Sequence, residues 1–227
     1  GSDLAIEAQQ LACFSLHRAG KYPESLQRCE AFLKEHPESR WAESIAFLAA
    51  ENLFLARQYD AARQRYAQFI ARYPESGKVE KARFRLGAAL HAMGQFDNAI
   101  EQLQPIADRA TTDSVLLQSR YLLADSLFQR RQFAEAAGYF ERFLDTNPDA
   151  GNRDDALLKL GVAQRETGQP QQAIATFAQL TSLSKSDTSI ARALLEAGQT
   201  QYAQQNYDAA IEQFRLLIDR YPDSDLA

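Results

Sequence analysis

The sequence predicts an all-α fold: six antiparallel helical hairpins stacked on one another. Three observations lead there. A 37-residue step recurs six times without a slip, each copy carries two stretches of helical apolar spacing, and a turn and a proline punctuate the copies at fixed places. Tyr22, Tyr59, Phe96, Phe133, Pro170 and Tyr207 form one column of the repeat. Ser25, Ala62, Ala99, Ala136, Ala173 and Ala210 form a second, all small, and Cys13, Ala50, Gly87, Ala124, Gly161 and Gly198 a third, again all small. Cys29, Tyr66, Leu103, Phe140, Phe177 and Phe214 form a fourth, mostly large. Pro37, Pro74, Pro148 and Pro222 share a fifth, with Thr111 and Lys185 in the remaining copies.

The second copy shows how each element arises. Ile45, Leu48, Ala49 and Leu53 lie at helical spacing, which predicts a first helix over residues 42–56. The turn Arg57-Gln58-Tyr59-Asp60 follows. A second helix then carries Ala62, Tyr66, Phe69 and Ile70 on one face and stops at Tyr73-Pro74, because proline cannot continue a helix. Ser39, Ser76, Asp113, Asp187 and Ser224, two residues past the proline column, stand where an N-cap would open the next unit. Where two helices cross closely only Gly, Ala, Ser or Cys leaves room, which accounts for the small columns, and the large column fills the space beside the crossing. The repeats are expected at about 3–38, 39–75, 76–112, 113–149, 150–186 and 187–223, as one array. Gly1-Ser2 reads as an expression scar, and Asp225-Leu226-Ala227 as the start of a seventh copy, so the chain is expected to be part of a longer protein.

Composition narrows the function classes. Hydrophobic residues at 45% and charged residues at 24% suit a folded chain, and with only 10 Gly and 7 Pro the balance favours helix. The net charge of −5 is spread without a basic stripe, so nucleic-acid binding is not expected. No apolar run approaches the ~20 residues that span a bilayer, so direct membrane insertion of this segment is not expected. Three histidines (His17, His36, His91) are too scattered to share a metal, and no HExxH, GxGxxG, P-loop or GxSxG pattern occurs. Neither an enzyme nor a bound cofactor is expected.

The columns resemble the tetratricopeptide repeat. Gly87, Ala99 and Leu103 follow the order of that family, as do Gly198, Ala210, Phe214 and Pro222, and the resemblance covers residues 4–224. The usual repeat has 34 residues, and here three more separate the proline from the next first helix. Segments such as Tyr73–Ala82 and Tyr221–Ser224 look like the variety found in bacterial envelope proteins, among them the periplasmic Tol–Pal coordinator and the outer-membrane-protein assembly lipoprotein. The resemblance implies a right-handed superhelical solenoid, a partner peptide or protein segment on its concave face, and a place in the bacterial periplasm or cell envelope, with the cytoplasm as the alternative.

Carried over by column, the concave face would hold Phe47, Phe84 and Tyr121 in one row and His17, Phe54, His91, Phe128, Arg165 and Tyr202 in another, with Glu51, Arg85, Asp125 and Lys159 beside them. Aromatics would supply contact area and charges would set register. Taken singly, each aromatic also reads as core between repeats. The family's lysine–asparagine clamp for a C-terminal carboxylate is missing: the corresponding positions are Gln10, Phe14, His17 and Arg18 in the first copy and Phe47, Glu51, Phe54 and Leu55 in the second. Binding of chaperone tails is therefore not expected.

Two further readings concern copy parity and the cysteines. The turn position is Gly20, Gly94 and Gly168 in odd copies but Arg57, Arg131 and Gln205 in even ones, which suggests a 74-residue unit of two hairpins. Cys13 and Cys29 fall in columns that pack near each other, so a disulfide between them is geometrically open; the other reading is two buried free thiols. The expected function is a non-catalytic scaffold for protein–protein interaction, with a structural spacer or self-assembly module as the alternative.

Overall fold

The structure is a computed structural model that describes residues 3–109, 113–147 and 151–226. These residues form twelve α-helices and no strand. In chain order they are α1 Asp3–Arg18, α2 Tyr22–Glu35, α3 Ala42–Leu55, α4 Tyr59–Arg72, α5 Val79–Ala92, α6 Phe96–Ala107, α7 Ser114–Gln129, α8 Phe133–Thr146, α9 Arg153–Glu166, α10 Pro170–Leu183, α11 Asp187–Ala203 and α12 Tyr207–Arg220. The all-α helical-repeat fold read from the periodicity is the fold observed.

The helices group into two compact units, Gly1–Ser119 and Arg120–Ala227, with the division inside α7. In the first unit each helix from α1 to α6 packs on the next, and first helices of successive hairpins also touch (α1 with α3, α3 with α5). The second unit repeats the scheme from α8 to α12, with α9 against α11.

What closes each hairpin is a Schellman turn. After α3, Arg57 N–H donates to Phe54 O (2.9 Å) and Gln58 N–H to Leu53 O (2.9 Å), the 5→2 and 6→1 bonds that satisfy the last carbonyls of a helix. The same two bonds follow α1, α5, α7, α9 and α11. This motif demands a left-handed residue, and the structure supplies one in every copy: Gly20, Gly94 and Gly168 at φ 71–76°, Arg57, Arg131 and Gln205 at φ 59–61°. The parity difference is therefore one of side chain, not of backbone.

The helix entries differ from expectation. Ser39 and Ser76 are not N-caps. Each hydroxyl accepts from the backbone N–H two residues on, Trp41 at 3.2 Å and Lys78 at 3.1 Å, and the helices begin beyond them. Their loop spends one extra turn before the next helix, which displaces the true cap. Asp187 is already the first residue of α11, and Ser186 caps it by accepting from Ser189 N–H at 3.3 Å.

The two helices of a hairpin meet at the small column and the residue sixteen positions on. A Cβ added to Gly161 would lie 2.4 Å from the Phe177 ring, one added to Gly198 2.4 Å from Phe214, and one added to Gly87 2.5 Å from Leu103 Cγ. Tyr66, Leu103, Phe140 and Phe177 are each completely buried there. Each such side chain contributes about 2–3 kcal/mol of hydrophobic burial, which is lost if the crossing opens.

The turn geometry makes a testable statement about stability. A side chain in the left-handed region costs about 1 kcal/mol, so Arg57→Gly and Arg131→Gly should each stabilise the protein by roughly that amount less the added chain entropy. Gly94→Ala should destabilise it by about 1 kcal/mol. Urea denaturation of the three variants checks this, and equal shifts of the same sign in all three would contradict the turn assignment.

Candidate protein-interaction surface

The first helices place two aromatic rows, and the structure treats the rows differently. In the first row, Phe47 meets Tyr66 (6.0 Å between ring centroids) and Phe69 (5.4 Å) of its own hairpin. Tyr121 likewise meets Phe140 (6.2 Å) and Phe143 (5.4 Å). Both rings remain partly accessible, but Phe84 is only 6% exposed. Phe84 is thus a core residue rather than a contact residue: at this depth a partner cannot reach its ring.

The second row forms a clasp across the turn. His17 packs edge-on against Tyr22, Phe54 against Tyr59, His91 against Phe96, Phe128 against Phe133 and Tyr202 against Tyr207. Centroid separations are 5.3–5.7 Å and interplanar angles 61–71°, the edge-to-face geometry that aromatic quadrupoles favour. The Schellman turn fixes this pairing, because it sets the last turn of one helix against the first turn of the next. Phe54, His91 and Phe128 are half-buried, and Tyr202 is 63% exposed.

Charged residues beside these rows tie neighbouring hairpins together. Glu51 receives a fork from Arg85, Nε to Oε1 at 2.9 Å and an Nη2 contact to Oε2 at 3.2 Å, and also accepts the Tyr66 hydroxyl. The Arg85 guanidinium lies 4.9 Å from the centroid of Phe54, a cation–π contact. Burial, then the Glu51 charge, pushes the Tyr66 phenol well above its ordinary pKa. The second unit holds the counterpart: Lys159 Nζ lies 2.9 Å from Asp125 and 2.8 Å from Asp155, and 5.8 Å from the centroid of Tyr121. Tyr121 donates to Asp155 at 2.6 Å. Burial disfavours the Lys159 charge, but the hydrogen bonds and charges of Asp155 and Asp125 outweigh it and hold its pKa above the usual value. Asp125 is 6% exposed, so it anchors Lys159 and is not itself a surface for a partner.

Glu51 and Asp125 stand 74 residues apart, as do Arg85 and Lys159. Both bridges follow one scheme: an acid on an even copy meets a base on the following odd copy. A similar bridge joins the outer ends of hairpins two and three, where Glu43 accepts from Lys78 and Ser76 at 2.8 Å each; Lys78 first, then Ser76, holds its carboxyl below the ordinary carboxylate range.

One buried polar cluster was not read from the sequence. His17 Nδ1 donates to Asn52 Oδ1 (2.8 Å), Asn52 Nδ2 to Ser25 Oγ (2.8 Å), and Ser25 to Cys13 O (2.8 Å). Asn52 is 1% exposed, and the sign available beforehand was a lone amide within the apolar run of α3. The two cysteines beside it are free and buried, so the disulfide is not formed in this structure. Among the described residues no group of three or more His, Cys, Asp or Glu side chains is placed to hold a metal, and no helix is long and apolar enough to cross a membrane.

Comparison with known proteins settles the family. A profile of the tetratricopeptide repeat matches residues 121–188 and again 158–225, and one of the tetratricopeptide repeat-like domain matches residues 8–116. The chain belongs to the tetratricopeptide-repeat family. Among curated proteins, no sequence matches it. Several solved structures share the fold of this tetratricopeptide-repeat protein. One is YrrB, described as a TPR protein with an unusual peptide-binding site: 21% identity, TM-score 0.70, covering 87% of this chain and 96% of YrrB. A MamA structure aligns with 20% identity and TM-score 0.69 over 83% of this chain and 98% of its own. MamA from Desulfovibrio magneticus RS-1 aligns with 16% identity and TM-score 0.64 over 78% and 94%.

The bridge from Arg85 to Glu51 is partly buried and bidentate, so it should be worth more than an exposed pair. A double-mutant cycle of Glu51→Gln and Arg85→Ala in urea should give a coupling of about 1–2 kcal/mol. The exposed Lys21–Glu24 pair at 3.8 Å should give less than about 0.5 kcal/mol. Indistinguishable couplings would remove the bridge from the list of structural ties.

Proposed function

We propose that the protein is a non-catalytic scaffold that holds a segment of a partner protein on the face built by its first helices. The carrying observation is the state of Phe54. Its ring is half-exposed, held edge-on by Tyr59 and covered on one side by the Arg85 guanidinium, which Glu51 in turn fixes. A contact residue locked by its neighbours loses little conformational entropy on binding, and rigid aromatics with arginine are the residue types that dominate interfaces. Phe128 on Phe133, and Tyr121 beside Lys159, offer the second unit's version of this surface.

The proposed contacts are Phe54, Arg85, Glu51 and His91 with the outer edge of Phe47 in the first unit, and Phe128, Tyr121 and Lys159 in the second. Membership of the tetratricopeptide-repeat family supports the reading, and so does the peptide-binding site ascribed to YrrB, a protein of the same fold. The pairing of charges within each cluster argues for a segment of mixed composition rather than a strongly acidic or basic one. The spacer reading draws its support from Phe84 and Asp125, which serve the interior. The longer repeat is the basis for placing the protein in the bacterial periplasm or envelope.

A single capture experiment addresses both points. The wild type and the Phe54→Ala/Phe128→Ala variant are offered periplasmic and cytosolic extracts in parallel, after circular dichroism has shown both to be equally helical. The proposal expects a partner retained from the periplasmic extract at least tenfold better by the wild type. Equal recovery by both proteins would favour the spacer, and variant-sensitive capture from the cytosolic extract alone would move the protein out of the envelope.

A further inference from the structure

The first hairpin differs from the other five in what stands at its helix crossing. Elsewhere the small column meets Tyr66, Leu103, Phe140, Phe177 or Phe214; here Cys13 on α1 meets Cys29 on α2. The two thiols are hydrogen-bonded to each other across this crossing, so their sulfurs are already neighbours and a disulfide needs only a small further approach. Cys13 and Cys29 are 1% and 0% exposed and belong to one core cluster with Phe32, Ile45 and Leu48. Asn52 Nδ2 reaches Cys29 Sγ at 3.9 Å, holding that side chain in place beside the His17–Asn52–Ser25 chain.

We propose that Cys13 and Cys29 are a redox pair, forming a reversible disulfide that staples α1 to α2. The pair is asymmetric. A hydrogen bond from Cys29 draws the Cys13 thiol below the usual thiol range against the opposing effect of burial, while the same bond and then burial push Cys29 far up. Cys13 is accordingly the attacking sulfur and Cys29 the resolving one. The oxidant is a small-molecule disulfide. Cys13 thiolate attacks one of its sulfurs: the bond from Cys13 Sγ to that sulfur forms, the small molecule's S–S bond breaks, and one thiolate leaves. Cys29 gives its proton to the departed thiolate and attacks Cys13 Sγ, expelling the second thiolate, which takes up from solvent the proton that Cys13 had released. Two cysteine thiols are oxidised and one disulfide is reduced to two thiols. Access comes from α1, which among the described residues packs on α2 and α3 and carries Leu4 and Leu11 exposed, so it can lift from the hairpin without disturbing the other crossings. The result is a hairpin whose hold on the array depends on redox state, whatever its partner.

Glutathione disulfide is the probe. Incubated with the folded protein at neutral pH, it should yield a monomer lighter by two hydrogens, with one tryptic peptide pair joined through Cys13 and Cys29, restored by dithiothreitol. Amide exchange across α1 should slow at least tenfold on oxidation. Cys13→Ala places in this column the residue that Ala50 and Ala124 supply in copies two and four, so the fold is kept. In that variant, reaction of Cys29 with glutathione disulfide should be at least tenfold slower than consumption of the wild-type thiols. The proposal is overturned if the helical wild type gives only glutathione adducts, intermolecular dimers or no product, or if Cys29 in Cys13→Ala reacts as fast as the wild type.

Discussion

Each hairpin depends on the close crossing of its two helices, where a small residue of the first helix faces a side chain sixteen positions later. The contact is steric before it is anything else: at Gly161 and Gly198 there is no room for even a methyl group beside Phe177 and Phe214. Because the crossing sets how near the helices lie, it also determines where the turn must reverse. The Schellman geometry with its left-handed residue follows, and with it the edge-to-face clasp of Phe54 on Tyr59 and of Phe128 on Phe133. The same spacing puts Glu51 within reach of Arg85 on the next hairpin and Asp125 within reach of Lys159. Packing thus comes first, and the polar surface is arranged by it.

Most of the fold was legible because a repeat makes six measurements of one pattern. The crossing columns, the turn and the proline stop could all be read, since each is dictated by local sterics at a fixed position. What could not be read depended on the neighbouring copy. Ser39 and Ser76 look like caps when taken alone, but each belongs to a loop that takes one more turn before its helix, and its hydroxyl serves that loop. Arg57 and Gly94 look like different turns, yet the hydrogen bonds around them impose one backbone on both. Phe84 and Phe54 are equally aromatic in the sequence, and only the packing around each makes one core and the other half-exposed. The pairing of Glu51 with Arg85 was within reach of column arithmetic, since the two lie 34 residues apart in adjacent copies.

Two of the ties between copies recur at a spacing of 74 residues. Bridges of one design join the second hairpin to the third and the fourth to the fifth. Between hairpins one and two, Phe14 packs into an apolar cluster with Leu48, and Arg65 pairs with Glu30. Arg165 likewise meets Glu196 at 2.6 Å between hairpins five and six, and salt should weaken the more exposed Arg65–Glu30 pair more than the partly buried ones. The proposed contact residues lie around the Glu51–Arg85 and Asp125–Lys159 bridges, where a partner would meet aromatic area and ordered charge together.

The account's central claim is that steric contact at the crossing governs the hairpin, and Gly161 tests it most directly. Helix propensity alone says that Gly161→Ala stabilises α9 by up to about 1 kcal/mol; contact with Phe177 says that it destabilises the protein by about 1–3 kcal/mol. Urea denaturation of Gly161→Ala should therefore show a loss of stability in the wild-type background and a gain in a Phe177→Ala background, where the obstructing ring is gone. The same shift in both backgrounds would contradict the claim, because the effect of the methyl group would then owe nothing to the residue it is said to meet.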